Sequence, residues 1–340
     1  MNFSLKNNSS IVDNNCNDIY LFYQRYISLT ISAFNINFNA LNVAILIRLI
    51  RDSSQKSEFF IFLLIKSITD AFIGFRFILR DVVEKILYYP NSFKSSSFFV
   101  ILIYIIITKY LSWSFILISR ISECFASFNR LTDLLISIKR LNKIIIRGCY
   151  VFLIIFSFAF YIYRFFEYQV VKLNSSYNST NLIQQYGFVR IKHSYLLDVI
   201  DFIHSLIKDI IFVSASVIID IITFLLIRKS FKKKRTMTKR NEKHKSISKK
   251  ERAEIRTLIM ITVTSCIALI GHLGSFLQNL PIEPNIFEDK CLLTVGEIFY
   301  EMTFSINFII YVIFNRRFRD IFLSFLHKFN LKSQELSSSL

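Results

Sequence analysis

The stretch SINFIIYVIFNRRFRDIF, residues 305–322, decides the fold class of the chain. It is an apolar run that carries one Asn and one Tyr and then passes into an Arg-rich segment with interspersed Phe and Ile. Such an apolar run is typical of a helix that crosses a membrane, and the segment after it is typical of a helix that lies along the membrane surface. This stretch therefore predicts a last membrane helix followed by a short amphipathic one.

The whole chain has the composition of a membrane protein. Of its 340 residues, 53% are hydrophobic and 16% are aromatic, and the mean hydropathy is +0.44. A water-soluble domain of this length is less apolar. Six Gly and three Pro are spread over long runs of Ile, Leu and Phe, which favours helices over the alternating strands of a membrane barrel. The sequence predicts an all-α membrane protein.

Seven apolar windows are each long enough to cross about 30 Å of hydrocarbon. They predict a seven-helix transmembrane bundle over residues 27–314, with spans at 27–49, 58–79, 98–124, 144–166, 199–227, 257–279 and 292–314. Three further segments complete the organisation: an extracellular N-terminus at 1–26, a basic third cytoplasmic loop at 228–256, and an amphipathic helix with a cytoplasmic tail at 315–340.

The distribution of basic residues predicts the orientation. With the N-terminus outside, 27 of the 42 Lys and Arg residues fall in cytoplasmic segments and 10 in extracellular ones, as the positive-inside bias requires. We therefore expect a multi-pass plasma-membrane protein with an extracellular N-terminus and a cytoplasmic C-terminus. Glycosylation sequons agree with this topology, because those at Asn2, Asn7, Asn8, Asn174 and Asn178 all fall in the extracellular segments.

The formal charge of +18 raises nucleic acid as a partner, but most of the excess lies in the loop 228–256. Anionic lipid attracts such a segment by about 1 kcal/mol per basic residue. Membrane lipid and a docked protein are therefore the expected partners, and no nucleic acid is expected. A simple topology anchor without a partner is the alternative.

Two of the five cysteines, Cys16 and Cys291, are predicted on the oxidising extracellular side. They are the natural pair for a disulfide, and two free thiols are an equally weighted alternative.

The last apolar run carries a motif. Asn307 and Tyr311 stand in NFIIY, and NRRFR follows after three residues. The chain here resembles the rhodopsin-like (class A) family of seven-transmembrane G-protein-coupled receptors, whose seventh helix ends in Asn-Pro-x-x-Tyr and is followed by Asn-x-x-Phe-Arg. Phe308 replaces the proline, so the helix loses the usual cause of a kink.

Other landmarks of that family follow in order. Asn42 and Asp70 match its first-helix Asn and second-helix Asp, and Arg130 in ASFNRL matches the Arg at the end of its third helix. The resemblance covers about residues 25–325. The family's outer Cys pair, its fourth-helix Trp and its Cys-Trp-x-Pro motif are missing from the corresponding segments. The pattern fits a divergent invertebrate chemoreceptor or an orphan peptide-type receptor.

The resemblance implies an ion site in the bundle. In the family, the Asp that Asp70 matches holds a sodium ion, together with residues matched here by Ser119, Thr303 and Asn307. Lys66 lies one helical turn before Asp70, so an ion pair could replace the sodium. A purely structural hydrogen bond to Asp70 is the third alternative.

The resemblance also implies a signalling switch at the cytoplasmic end. Arg130 would contact the α subunit of a heterotrimeric G protein once the sixth helix swings outward, and Tyr311 would turn inward beside it to share a water molecule. Asn129 stands where the family has an acidic residue, so we expect a weaker resting restraint and raised basal signalling. The alternative is that Arg130 is only a positive-inside anchor.

The ligand pocket is predicted less sharply. Ser112 stands where amine receptors of the family have an Asp, which argues against a biogenic amine. Charges of both signs suit an extracellular peptide or polar small molecule, although ion pairs between helices explain some of them equally well. The candidates at outer depth are Arg80, Lys109, Trp113, Asp201, His204, Lys208, Glu297, Tyr300 and Glu301.

The C-terminal segment predicts further partners. Arg316, Arg317 and Arg319 are interspersed with apolar residues, in a pattern that lays a helix along the inner leaflet. The tail SQELSSSL offers serines for phosphorylation, and its last three residues weakly resemble a PDZ ligand. Arrestin and a PDZ protein are therefore expected as additional partners.

Two function classes stand at this point. The first is a G-protein-coupled receptor without catalytic chemistry or a cofactor, since no nucleophile constellation, phosphate loop or metal-spaced cluster is apparent. The second is a multi-span transporter or channel whose path is lined by charged residues, namely Lys66, Asp70, Arg76, Lys109, Arg120, Glu123, Lys208, Asp209 and Asp220. The odd number of spans and the motif of the last helix favour the receptor.

Overall fold

A computed structural model provides the fold of most of the chain. It describes residues 22–52, 58–82, 98–135, 142–173, 185–190, 195–238, 256, 259–260, 262–273, 276 and 290–338.

Eight helices run through the described residues. The first four are α1 (Ser28–Asp52, after the π-helical turn Tyr23–Ile27), α2 (Glu58–Asp81), α3 (the continuous segments Phe98–Ile105, Ile106–Leu111 and Ser112–Leu134) and α4 (Asn142–Phe160, followed by the short helix Ile162–Phe166). The others are α5 (the continuous segments Tyr195–Ser205, Leu206–Ile211 and Phe212–Thr238), α6 (described over Thr262–Leu273), α7 (Lys290–Phe314) and α8 (Arg316–Ser338).

Five of these helices, α1, α3, α4, α5 and α7, are long and apolar enough to cross a membrane. Helix α2 has a similar length of 24 residues, but it carries more charged residues in its middle, namely Lys66, Asp70 and Arg76. The described part of α6 is also apolar. The helical bundle confirms the predicted all-α membrane fold class.

One element differs from the sequence analysis, which predicted no strand. Strands β1 (Tyr168–Leu173) and β2 (Gln185–Arg190) pair in antiparallel register between α4 and α5. Side chains of β1 pack against the first segment of α3, at Ile101, Tyr104 and Ile105. We call this side of the bundle the hairpin end, and the side where α1 ends and α8 begins the opposite end.

Helix α3 lies at the centre of the bundle, where it packs against α2, α4 and α5, while α1 packs against α2 and α7. Helices α6 and α7 approach closely at Gly271. A Cβ at that position would collide with Thr303 and lie 2.9 Å from the carbonyl oxygen of Phe299. A residue without a side chain therefore permits this contact.

Helix α8 begins directly after α7 and occupies nearly the whole predicted tail. The Asn315 side chain caps it, because its Oδ1 accepts a hydrogen bond from the backbone N–H of Phe318 at 3.1 Å. Phe318 is buried against Phe308 and Tyr311 of α7. The packing of Phe318 thus ties α8 to the end of α7 that carries the predicted switch.

Candidate functional site

A group of charged side chains lies in the interior between α2 and α3. Lys66 and Asp70 are four residues apart on α2 and share one face. Lys66 Nζ donates a hydrogen bond to Asp70 Oδ2 at 2.9 Å, and Ser119 Oγ of α3 donates one to Asp70 Oδ1 at 2.5 Å. All three residues are at most 2% exposed. Both oxygens of Asp70 therefore have donors from the protein.

The charged group continues along α3 to α7. Glu123 Oε2 lies 3.4 Å from Lys66 Nζ and 2.7 Å from a guanidinium nitrogen of Arg120. Arg120 in turn donates to Thr303 Oγ1 at 3.3 Å. We call these six residues the central network: Lys66, Asp70, Ser119, Arg120, Glu123 and Thr303.

Only part of the predicted ion site around Asp70 is found in the central network. Ser119 does contact Asp70, but Thr303 joins through Arg120, and Asn307 bonds to the Thr303 carbonyl oxygen at 3.4 Å. The receptor interpretation of the sequence did not include Arg120 and Glu123. The signal was available, because two opposite charges three residues apart in an apolar helix must pair or face a partner.

Helix α1 contributes a ladder of buried amides. Asn42 Nδ2 donates to Asn39 Oδ1 at 3.4 Å within the helix. Asn39, which the sequence analysis did not single out, reaches α7, where it donates to the carbonyl oxygen of Phe304 at 2.8 Å. Both amides are 1% exposed, so they anchor α1 to the bundle.

A cavity opens between α2, α3, α5, α6 and α7 toward the opposite end of the bundle. About 30 Å³ of this cavity is open to the centres of water molecules, which is room for two or three waters. Its lining includes both predicted switch residues, Arg130 and Tyr311, and we call it the Arg130 cavity. Its polar lining consists of Lys66, Glu123, Ser127, Arg130, Asp220, Thr264, Ser265 and Tyr311.

Arg130 is held differently from the cations of the central network. Its guanidinium carbon lies 3.8 Å from the centre of the Phe59 ring, and among the described residues it forms no ion pair. Asp220 of α5 lines the same cavity and accepts a hydrogen bond from Ser265 of α6. The arrangement places the Arg130 guanidinium beside a link between α5 and α6.

Several predicted pocket residues meet around Trp113 nearer the hairpin end. The His204 ring lies 4.9 Å from the Trp113 ring and 4.6 Å from that of Tyr161. Cations approach Trp113 as well, with Lys208 Nζ at 4.5 Å and the Arg164 guanidinium carbon at 5.1 Å from its ring centre. We call this group the Trp113 cluster: Trp113, Tyr161, Arg164, His204, Lys208 and Tyr300.

Ion pairs surround the Trp113 cluster. Arg164 pairs with Glu167 and with Asp201, each at 2.7 Å. Asp209 lies 3.1 Å from Lys208 Nζ and 2.5 Å from His272 Nδ1. The Asp209–His272 contact joins α5 to α6, and no local spacing in the sequence could have predicted it.

The other predicted pocket residues lie apart from this cluster. Arg80 contacts Glu301 at 3.4 Å, and Glu301 also accepts a hydrogen bond from Ser28 at 3.0 Å. Lys109 lies 5.4 Å from the ring centre of Tyr168 in β1. Glu297 belongs to α7, one turn nearer the hairpin end than Glu301. The nine candidates therefore do not form one site in this conformation.

Some predicted features lie outside the described residues. These are Cys16, the sequons at Asn2, Asn7, Asn8, Asn174 and Asn178, most of the basic loop, and the last two residues of the PDZ-like tail. The side chain of Cys291 also lies outside them. The disulfide and the glycosylation sites remain predictions.

Comparison with known proteins shows the family. No curated protein matches the chain. A family model described as the serpentine-type 7TM GPCR chemoreceptor Srx matches residues 29–315, from the start of α1 to the end of α7. This match confirms the predicted seven-helix bundle and favours the receptor over the transporter or channel. The chain therefore belongs to the Srx family of serpentine-type seven-transmembrane chemoreceptors, which are membrane receptors that respond to an extracellular ligand through a G protein.

Proposed function

We propose that this receptor detects an extracellular peptide or polar small molecule at the hairpin end and activates a heterotrimeric G protein through the Arg130 cavity. One observation carries the proposal. Arg130, Tyr311 and Asp220, from three different helices, line a single cavity, and among the described residues Arg130 has no ion-pair partner. A cation that faces a cavity with room for water and forms no ion pair can move when the surrounding helices move.

The proposed orientation places the N-terminus and the hairpin outside the cell and α8 at the inner leaflet. The excess of basic residues in the segments at the opposite end supports it. We expect Asn174 and Asn178 to carry glycans, so that glycosidase treatment shifts the mobility of the unmutated protein but not of an Asn174→Gln, Asn178→Gln double variant. An epitope tag in the basic loop should require permeabilised cells. Tags near residues 180 and 240 on the same side of the membrane would contradict this topology.

The proposed resting state is the one described above, with Arg130 against Phe59. In the active state α6 moves outward, which requires the hydrogen bond between Ser265 and Asp220 to break. Arg130 then leaves the Phe59 ring and contacts the G-protein α subunit. The Tyr311 hydroxyl turns inward to share a water molecule beside it. Because the cavity already has room for two or three waters, this step needs no new space.

Within the central network, we assign to Lys66 the place that a sodium ion takes in rhodopsin-like receptors. Its ammonium contacts Asp70 at 2.9 Å and lies 3.3 Å from Ser119 Oγ. A tethered cation stays in place regardless of the salt concentration. This assignment, like the rhodopsin-like kinship itself, is supported by the matching positions Asn42, Asp70 and Asn307.

Arg130→Ala tests the proposed function. The variant should lose nearly all basal Gα dissociation at matched surface expression, because it lacks the cation that meets the G protein. Arg147→Ala is the matched control. Arg147 lies at the same end of the bundle and pairs with Glu58 at 2.8 Å, but it is 65% exposed and does not line the cavity. Equal signalling by both variants would contradict the proposed function.

Further partners follow from α8 and the tail. The exposed side chains of Leu323 and Leu326, together with Arg316 and Arg317, give α8 the apolar and basic surface of a helix that contacts lipid. Phosphorylated serines in the tail would recruit arrestin, and the terminal residues would bind a PDZ domain.

A further inference from the structure

Buried polar atoms without hydrogen-bond partners converge on the Trp113 cluster. Nearly all buried polar groups in native proteins are paired, and each unpaired one costs free energy. Several of them in one place indicate that the cluster lacks a binding partner. Among the described residues, the atoms concerned are Lys208 Nζ, His204 Nε2, and the hydroxyl groups of Tyr161 and Tyr300.

The unpaired atoms are rich in donors. An ammonium group and two hydroxyl groups can all donate, and the ammonium cannot accept. Lys208 Nζ does lie 3.1 Å from Asp209 Oδ2, but the two groups are on adjacent residues, and the nitrogen forms no aligned hydrogen bond. The missing partner must therefore supply acceptor atoms.

The charges around the cluster argue for a neutral partner. Each of the three carboxylates already has a cation, since Glu167 and Asp201 share Arg164, and Asp209 lies beside Lys208. An amine would find no free carboxylate. An anion would lie near these three carboxylates, where the low dielectric makes repulsion costly.

We propose that the Trp113 cluster binds a small neutral carbonyl compound. Its oxygen accepts hydrogen bonds from Lys208 and from the hydroxyl of Tyr300, and its apolar part packs against the half-buried Trp113 ring. Side chains from α3, the short helix after α4, α5 and α7 contribute to this site, which is typical of ligand pockets in helix bundles. The proposal rests on the receptor function, because it narrows the proposed ligand of this pocket to one chemical class.

The position of Lys208 also gives the site a route to α6. Lys208 is adjacent to Asp209, which contacts His272 of α6 at 2.5 Å. A ligand oxygen that draws Lys208 away from Asp209 changes the charge facing His272. Occupancy of the cluster is thereby coupled to the helix that must move in signalling.

Intrinsic fluorescence tests the proposal directly, because Trp113 is the single tryptophan of the chain. Purified full-length receptor in lipid nanodiscs would be titrated with ketones, esters and aldehydes, and with carboxylic acids, amines and alkanes of the same carbon number. We expect saturable quenching with carbonyl compounds and only a linear, collisional response with the other compounds. A linear response to every compound would mean that ordered water fills the cluster, and would overturn the proposal.

Variants identify the residues that bind the oxygen. Lys208→Met should abolish saturation, and Tyr300→Phe, which keeps the ring, should weaken binding about fivefold through the loss of one hydrogen bond. Tyr110→Phe is the matched control, because that hydroxyl already donates to the Phe158 carbonyl oxygen at 3.2 Å. Saturation that survives in both Lys208→Met and Tyr300→Phe would overturn the site.

The fluorescence assay needs no G protein, so its failure is distinguishable from failure of the proposed function. A receptor with Arg130-dependent basal signalling but no saturable quenching keeps its function and loses this ligand class. A receptor with saturable quenching but no Arg130-dependent signalling keeps this ligand class and loses the proposed function.

Discussion

The central network and the Arg130 cavity lie side by side in the bundle and share Lys66 and Glu123, yet they differ in how their charges are held. In the central network, both cations contact a carboxylate within 3.4 Å. In the cavity, Arg130 stacks on Phe59, and among the described residues it contacts no carboxylate. Saturated buried charges resist rearrangement, because any movement exposes an unpaired ion in a low dielectric.

The difference assigns separate roles to the two regions. The central network links α2, α3 and α7, and we propose that it stays intact during signalling. The cavity has room for water, and among the described residues its Arg130 forms no ion pair; we propose that the helices rearrange here. Disturbing the first region should therefore cost stability, and disturbing the second should change activity.

The largest expected effect is on stability, from Lys66→Met. The variant removes the cation between two nearly buried carboxylates, Asp70 and Glu123. Breaking a buried pair in this way typically costs about 3–5 kcal/mol. We expect a markedly lower melting temperature of the purified receptor and poor surface expression.

A double variant shows how much of the lost stability comes from the unpaired charge and how much from altered packing. Adding Asp70→Asn to Lys66→Met removes one unpaired charge and should recover part of the lost stability. A single variant that melts like the unmutated protein would show that the network is not saturated.

The smallest effect is expected when the sodium ions of the buffer are replaced by another cation. Lys66 and Ser119 already occupy both oxygens of Asp70, so exchanging sodium for choline at constant ionic strength should change neither the melting temperature nor basal Gα dissociation. A melting temperature that rises with sodium specifically would contradict the assignment of Lys66 as a built-in cation.

The sequence predicted the parts of this comparison that depend on local spacing. The apolar windows identified the membrane helices, and the four-residue separation of Lys66 and Asp70 identified their ion pair as one alternative. The strands β1 and β2 were missed, although YQVVKL and QYGFVR contain several of the aromatic and β-branched residues that favour strands, because the long segment between them lacks a tight-turn motif.

Contacts between residues of different helices could not be predicted from the sequence. Asp209 with His272, and Asp220 with Ser265, are separated by 63 and 45 residues. The spacing of apolar and polar residues along one helix does not indicate which residue of another helix it will contact. Likewise, Asn39 of α1 donates to Phe304 of α7, 265 residues away, a contact that is set by the rotation of α1 in the bundle.

Basal Gα dissociation by Tyr311→Phe, at matched surface expression, tests most directly whether the Arg130 cavity is the switch. Removing one hydroxyl that acts through water should shift the balance toward the resting state about fivefold, with folding intact because the ring is kept. Tyr150→Phe is the control, since this buried hydroxyl contacts Ser122 at 2.7 Å and does not line the cavity. We predict a clear loss of signalling in Tyr311→Phe and little change in Tyr150→Phe. Unchanged signalling in Tyr311→Phe would contradict the account.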